Sequence, residues 1–324
     1  MQAVLFDELN PTGPDAYPHP DAIRTLAQSL PSSLYLGTSS WAFPGWADLV
    51  YAHTYDERTL SRQGLSAYSK HPLFRCVSID RTFYAPISAQ TFRSYAEQVP
   101  DTFRFAVKVP ASLLSQSLPH THAPNPDFLN PDQAESIFFE PLHQGLGNKL
   151  GWVLLQCPPQ PDSITRSPSI FYDGLCQLLE RAKRYQLPTM VEIRDRALLT
   201  PELVKRLISL DTRLCLSLHP RLPGLPAQFR IQAAFPPGPL FIRWNLNRQL
   251  SYNSALERYA PFHTRQDPDE EAHQYLAQHI HAWLNNTKQP VWVLANNKAE
   301  GCAPLTLLKL AHKLASFSSP YLNK

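Results

Sequence analysis

Glycine is scarce in this chain, with 11 in 324 residues, and so are cysteine, with five, and methionine, with two. Each shortage narrows what the protein can be. Glycine-rich loops cradle cofactor phosphates after a strand. The nearest approach to one, Gly145-Leu146-Gly147 with Gly151, comes before an apolar strand-like run, so it is rejected as a dinucleotide fingerprint. The five cysteines are odd in number, lack CxxC spacing and mostly sit inside apolar runs, which reads as reduced core thiols of a cytoplasmic protein. No run approaches the roughly 20 apolar residues of a membrane span, and the first residues, MQAVLFDELNPTG, have no basic start, so neither a membrane helix nor a secretory signal is expected. Neither sign of charge dominates either. Thirty Lys and Arg against 27 Asp and Glu leave +3, too little to imply a polyanion-coated protein, though compatible with a local basic patch.

What the chain does have is a hydrophobic content of 43%, enough for a full core, and 32 prolines, about twice average usage. The apolar residues gather in eight short runs, near 34–41, 74–84, 103–108, 152–156, 190–194, 214–219, 240–245 and 291–297, most of them ending on polar residues. Helix-length segments separate them. Asn130-Pro131, Ser167-Pro168, Thr200-Pro201 and Asp267-Pro268 read as N-caps followed by proline, and Ser88 precedes an amphipathic segment with Phe92, Tyr95, Ala96 and Val99 on one face. The intervals between runs average about 37 residues, which suits a TIM-like (β/α)8 barrel of about 250 residues plus insertions. The reading is therefore α/β: a proline-rich N-terminal extension over 1–33 and one barrel domain over 34–324. The weakest unit follows the sixth run, where His219-Pro220 through Pro223-Gly224 interrupts a regular helix.

Barrels of this kind carry their sites at the carboxyl ends of the strands. Alternation places Arg104, Ala106 and Lys108 on one face, Glu192 and Arg194 on another, and Phe241, Arg243 and Asn245 on a third. If these faces point inward, Lys108, Arg194 and Arg243 converge, helped by Arg81, and can grip a phosphate or carboxylate. Glu192 and Asp80 are the carboxylates suited to acid–base work, and Lys108 is also a candidate for Schiff-base chemistry. The same residues can equally form a buried ion-pair network that fills the barrel. Around them, Trp41, Tyr84 and Trp244 offer aromatic surface, Asn245, Asn296 and Asn297 offer amides, and Gln156 ends the fourth run. His219 could join Asp80 and Glu192 on a metal, but the remaining histidines, His120 and His122 in a proline-rich loop and His273, His279 and His281 on a helix, are scattered, so no metal site is expected.

The strand ends also resemble a known family. Gly37-Thr38-Ser39-Ser40-Trp41 with Phe43 and Trp46 is similar to the opening motif of the YecE-like family, characterised by domain of unknown function 72. The likeness continues through Thr82-Phe83-Tyr84, 103–108, Gln156-Cys157-Pro158-Pro159, Val191-Glu192-Ile193-Arg194, Phe241-Ile242-Arg243-Trp244 and Asn296-Asn297 with Gly301, spanning roughly 34–315. What the resemblance implies is a TIM-like barrel with a polar mouth and no established reaction. Three positions depart from the family pattern: Ser78 replaces a carboxylate, Asp195 a histidine, and Asn245-Leu246 a histidine-glycine pair. The expected partner is an anionic small molecule, for a hydrolase, lyase or isomerase. The alternatives are a nucleic-acid-binding or nuclease-like barrel, and a catalytically degenerate paralogue that serves as a binding protein. No cofactor is assigned.

Overall fold

In a computed structural model of the chain, residues 13–118 and 123–318 are described. Nine parallel strand segments form one sheet: β1 (Leu34–Thr38), β2 (Phe74–Ile79), β3 (Arg104–Lys108), β4 (Leu150–Cys157), β5 (Thr189–Ile193), β6 (Arg213–Leu214), β7 (Leu216–Leu218), β8 (Leu240–Trp244) and β9 (Val291–Ala295). Their order is β6-β5-β4-β3-β2-β1-β9-β8-β7. β6 and β7 are the two halves of one strand, separated by Cys215. The first half pairs with β5 and the second with β8, while Cys215 N–H donates to Val191 O at 2.8 Å. The sheet thus closes into an eight-stranded barrel.

These segments are strands because short, largely apolar stretches are buried on both sides, as in parallel sheets wrapped by helices. β1 lies so close to β2 that a Cβ on Gly37 would sit 2.0 Å from Cys76 O, so only glycine fits there. The helices between the strands cover the outside. Ser88, Asn130 and Thr200 cap their helices through their side chains. At the other two proline signals the cap falls elsewhere. The helix Ser169–Arg184 begins after Pro168 with no side-chain cap, and Asp269 rather than Asp267 caps Glu270–Thr287. Asp267 is occupied instead by Arg258 at 2.7 Å and by the Tyr259 hydroxyl at 2.7 Å. After β7 the turn at 219–224 yields to a short helix, Leu225–Gln232, so the interruption delays the sixth helix without removing it.

Within 13–33, the helix Asp21–Ser29 buries Leu26 and Ala27 in the same core as the barrel's outer layer, and Ala52 N–H donates to Asp15 O at 2.9 Å. His120 and His122 lie outside the described residues. Among the described residues, no helix is long and apolar enough to cross a membrane.

The barrel interior changes character along its axis. Tyr35, Trp152, Phe241 and Trp292 meet towards the amino ends of the strands, with Cys76, Ala106, Leu154, Met190, Cys215 and Leu294 completing the apolar interior. One inward position beyond Cys76, Ala106, Leu154, Met190, Cys215 and Phe241 stand Ser78, Lys108, Gln156, Glu192, Ser217 and Arg243, so the wall turns polar.

Candidate functional site

Lys108 ends β3, Gln156 lies near the end of β4, Glu192 lies in β5 with Arg194 just beyond it, and Arg243 lies in β8. Because inward positions repeat every second residue, Ala106 precedes Lys108, Met190 precedes Glu192 and Phe241 precedes Arg243 on the barrel's inner wall. Asp80 opens the single turn Asp80–Phe83 after β2. That turn is tied down by Thr82, whose hydroxyl lies 2.8 Å from Ile79 O and 2.6 Å from Lys108 O.

These six side chains meet. Arg243, 2% exposed, donates to Glu192 Oε2 at 2.7 Å, to Gln156 Oε1 at 2.9 Å and to Asp80 Oδ2 at 3.2 Å. Arg194 donates through Nε to Glu192 Oε1 and through Nη2 to Gln156 Oε1 at 3.3 Å. Asp80 accepts from Ser78 Oγ at 2.5 Å and has Lys108 Nζ 3.6 Å away. Ser78, which departs from the family pattern, therefore serves as the brace of the neighbouring carboxylate. Lys108 Nζ also lies 4.1 Å from the centroid of the Phe83 ring, a cation–π contact.

The electrostatics divide the group in two. Burial alone would raise the Glu192 carboxyl, but Arg194, Arg243 and Lys108 outweigh it and hold it at about 2. Burial likewise works against a charged Arg243, yet Glu192 and Asp80 raise its pKa above the ordinary guanidinium value. Lys108 is treated differently. Burial lowers its ammonium, Asp80 and Glu192 only partly restore it, and Arg243 and Arg194 push it down again, leaving it at about 8. His219, just beyond β7, is lowered to about 4 by burial and then by Arg194, against the pull of Glu192. Its Nδ1 accepts Arg221 N–H at 3.2 Å, which leaves the proton of the neutral ring on Nε2. Lys108, Arg194 and Arg243 against Asp80 and Glu192 leave one positive charge in excess.

The other nominated residues are placed around this cluster rather than in it. Arg81 turns outward and donates to the Tyr95 hydroxyl at 2.7 Å. Trp41 is buried, its indole N–H on Leu60 O at 2.9 Å. Asn245 donates to Ser217 Oγ at 2.5 Å, and Asn296 to Ser39 Oγ at 2.8 Å. Asn297, 1% exposed, accepts Ala303 N–H at 2.8 Å and so caps the last helix. Tyr84 stands on the rim, 78% exposed. Trp244 is buried against the His273 ring at 4.5 Å.

Sequence reasoning passed over two features. Lys298, next after the paired asparagines, is 8% exposed, and its Nζ lies 4.4 Å from the Tyr252 ring centroid and 5.7 Å from that of Phe262. Its position at the end of a strand run was the available signal. Glu300, fully buried, gathers His273 Nε2 at 3.0 Å, Arg265 Nε at 3.1 Å, the Thr306 hydroxyl at 2.8 Å and Asp269 N–H at 2.6 Å. It ties the start of Glu270–Thr287 to the chain beyond β9, beside Gly301, whose φ of 110° and 2.5 Å clearance from Thr264 O exclude a side chain. Among the described residues no three His, Cys, Asp or Glu side chains gather as a metal set.

The comparisons with known proteins agree with this architecture. A DUF72 family protein from Thermotoga maritima MSB8 superposes with a TM-score of 0.60 at 21% identity, covering 88% of this chain and 99% of that one. Another from Enterococcus faecalis V583 gives 0.61 at 18% identity, with 87% and 95% covered. These likenesses establish the barrel fold. UPF0759 protein YunF of Bacillus subtilis (strain 168) is 28% identical over 177 residues, 54% of this chain. The match spans only a little over half of that relative, 56% of its length. The family described as "Protein of unknown function DUF72" matches residues 35–323, nearly the whole chain, and the protein therefore belongs to the DUF72 family.

Proposed function

We propose that this barrel binds a small anion, a carboxylate or phosphate group, at its carboxyl mouth, and that Lys108 is the cation that meets it. The supporting observation is the unequal commitment of the three cations. Arg243 and Arg194 already share Glu192 and Gln156 between them, and Arg243 reaches Asp80 as well. Lys108 has three donors, yet among the described residues it faces only a carboxylate at 3.6 Å and an aromatic ring. A 7% exposed ammonium in surroundings with net positive charge gains most from an incoming anion. Its pKa of about 8 also suits it to carry a proton near neutrality, with Asp80 as its partner, in the manner of a lyase or isomerase. Glu192, held at about 2 with both oxygens occupied, fits a positioning role better than proton transfer.

The test is calorimetric titration with inorganic phosphate and with citrate, comparing the natural protein with Lys108→Met. A lost charged hydrogen bond predicts roughly ten- to hundredfold weaker binding with little change in melting temperature. In the natural protein, affinity falls as pH rises through about 8, because the ammonium loses its proton there. Unchanged affinity combined with a large fall in melting temperature would instead support the reading in which the network only fills the barrel. That reading has its own support in the 0% exposure of Glu192 and the 2% exposure of Arg243.

A further inference from the structure

Asp80 belongs to two environments. Inward it meets Lys108 and Arg243. Outward it lines a cavity of about 290 Å³ between the chain after β1 and the turn after β2, closed on the far side by the helix Glu57–Gln63. The other polar walls are Ser40, Glu57, Ser61 and Arg81. Their hydrogen-bonding capacity is largely unspent. Among the described residues, Ser61 Oγ and the Glu57 carboxylate have no hydrogen-bond partner, and Arg81 has no carboxylate within ion-pair distance and spends one nitrogen on Tyr95. Ser40 Oγ has only a long 3.5 Å contact from Ala42 N–H.

The chemistry of these walls selects an occupant. An anionic group would meet Glu57 and Asp80, and an apolar chain would leave the unspent donors and acceptors of Ser40, Glu57, Ser61 and Arg81 without partners. Trp41, 3% exposed, leaves too little free surface for stacking a ring. Hydroxyl groups, each both donor and acceptor, satisfy carboxylate, guanidinium and serine alike. The volume lies at the lower edge of the ~300–1,000 Å³ usual for small-ligand pockets, which matches a sugar-sized body. Asp80 is the wall shared with the cation cluster, 3.6 Å from Lys108 Nζ, so a ligand seated in the cavity is separated from the ammonium by that one carboxylate.

We infer that the cavity bounded by Ser40, Glu57, Ser61, Asp80 and Arg81 is a hydroxyl-binding subsite, and that the ligand of this barrel is a polyhydroxylated acid or phosphate of sugar size. The ligand class rests on the anion reading above, whereas the subsite itself does not.

Titrations with inorganic phosphate, D-ribose and ribose 5-phosphate separate the two. In the natural protein ribose 5-phosphate binds at least about tenfold tighter than phosphate, the equivalent of one or two added neutral hydrogen bonds. Ser61→Leu, which fills the cavity from the helix, removes that advantage and abolishes ribose binding while leaving phosphate affinity as it was. Glu57→Gln, at an exposed position that poses no risk to folding, reduces the advantage in part. Lys108→Met weakens phosphate and ribose 5-phosphate together and spares ribose. Equal affinity for phosphate and ribose 5-phosphate, or an advantage that survives both Ser61→Leu and Glu57→Gln, overturns the subsite. Tighter binding of phosphoethanolamine than of ribose 5-phosphate also overturns it, because the two carboxylates would then be selecting a cation. Absent phosphate binding, with ribose binding that Ser61→Leu abolishes, overturns the anion reading alone and supports the subsite.

Discussion

The two ends of the barrel interior are built from the same strands by opposite physics. At the amino end Tyr35 stacks on Trp292 with ring centroids 4.2 Å apart, Trp152 meets it edge-on at 6.5 Å and Phe241 stacks at 6.1 Å. At the carboxyl end Lys108, Glu192 and Arg243, each two residues beyond an apolar inward residue (Ala106, Met190 and Phe241), are buried as well. The aromatic floor is stabilised by area removed from water, a term that is indifferent to partner identity. The mouth has no such latitude, because each buried charge costs several kcal/mol unless it meets its counter-charge. Stability is thus secured at one end, and at the other it is put at risk in a pattern that leaves Lys108 under-compensated.

Three experiments can break or sharpen this contrast. The largest effect is expected at the floor, where Trp292→Ala removes the central ring of the stack and should cost about 3–5 kcal/mol in denaturant unfolding. The loss should be independent of pH, and phosphate affinity of the folded protein should be retained. A loss under about 1 kcal/mol would mean that the floor does not anchor the barrel.

Next comes the mouth, where Glu192→Gln strands Arg194 and Arg243 without their shared carboxylate, a cost of about 3 kcal/mol near neutral pH. Here pH must matter. The folded carboxyl is held at about 2, below its unfolded value, so its stabilisation is present above roughly pH 4 and is lost as pH falls towards 2. The gap between natural and variant unfolding energies should close over that window, and a gap that persists at pH 2 would show that the loss is one of packing rather than charge. Smallest of all is the effect at His219, whose imidazole resonances should titrate near 4 in NMR instead of near 6.5. Its folded pKa is depressed, so the unfolded chain binds the proton first and stability declines as pH falls from about 6.5 to about 4. An ordinary titration would mean that the imidazole is neither buried nor close to Arg194.

The barrel was legible in the sequence because its evidence is local: short apolar runs, polar run ends, and a two-residue alternation that sets Ala106 with Lys108 and Phe241 with Arg243. The proline-marked caps at Asn130 and Thr200 were legible for the same reason. Asp267 misled because a carboxylate beside proline satisfies the local rule, whereas its use was decided by Arg258 and Tyr259. The candidate site was legible as a set of residues and illegible as a division of labour. Arg243 is bound to Gln156 across 87 positions and to Asp80 across 163, and no local pattern says which guanidinium nitrogen is spent. Arg81 shows the converse: it adjoins Asp80 in sequence yet turns to Tyr95. Glu300 was missed because a buried carboxylate hub has no signature apart from the chain segments that fold over it, whereas Lys298 did carry a local signal, its place at the end of a strand run, but nothing local to say that Tyr252 and Phe262 would cover it.

The Thr82 hydroxyl, wedged between Ile79 O and Lys108 O, bears on how freely this barrel can change its trade. It fastens the turn that carries Asp80 to the strand that carries Lys108 by a tie between side chain and backbone, with neither charged group taking part. Substitution at position 80 or 108 can therefore alter the charge offered at the mouth while the turn and the strand stay in register. A change at either of those positions alters the charge balance of the cluster, and must find the remaining charges new partners, without moving the turn from the strand, whereas a change at Thr82 would disturb both addresses at once.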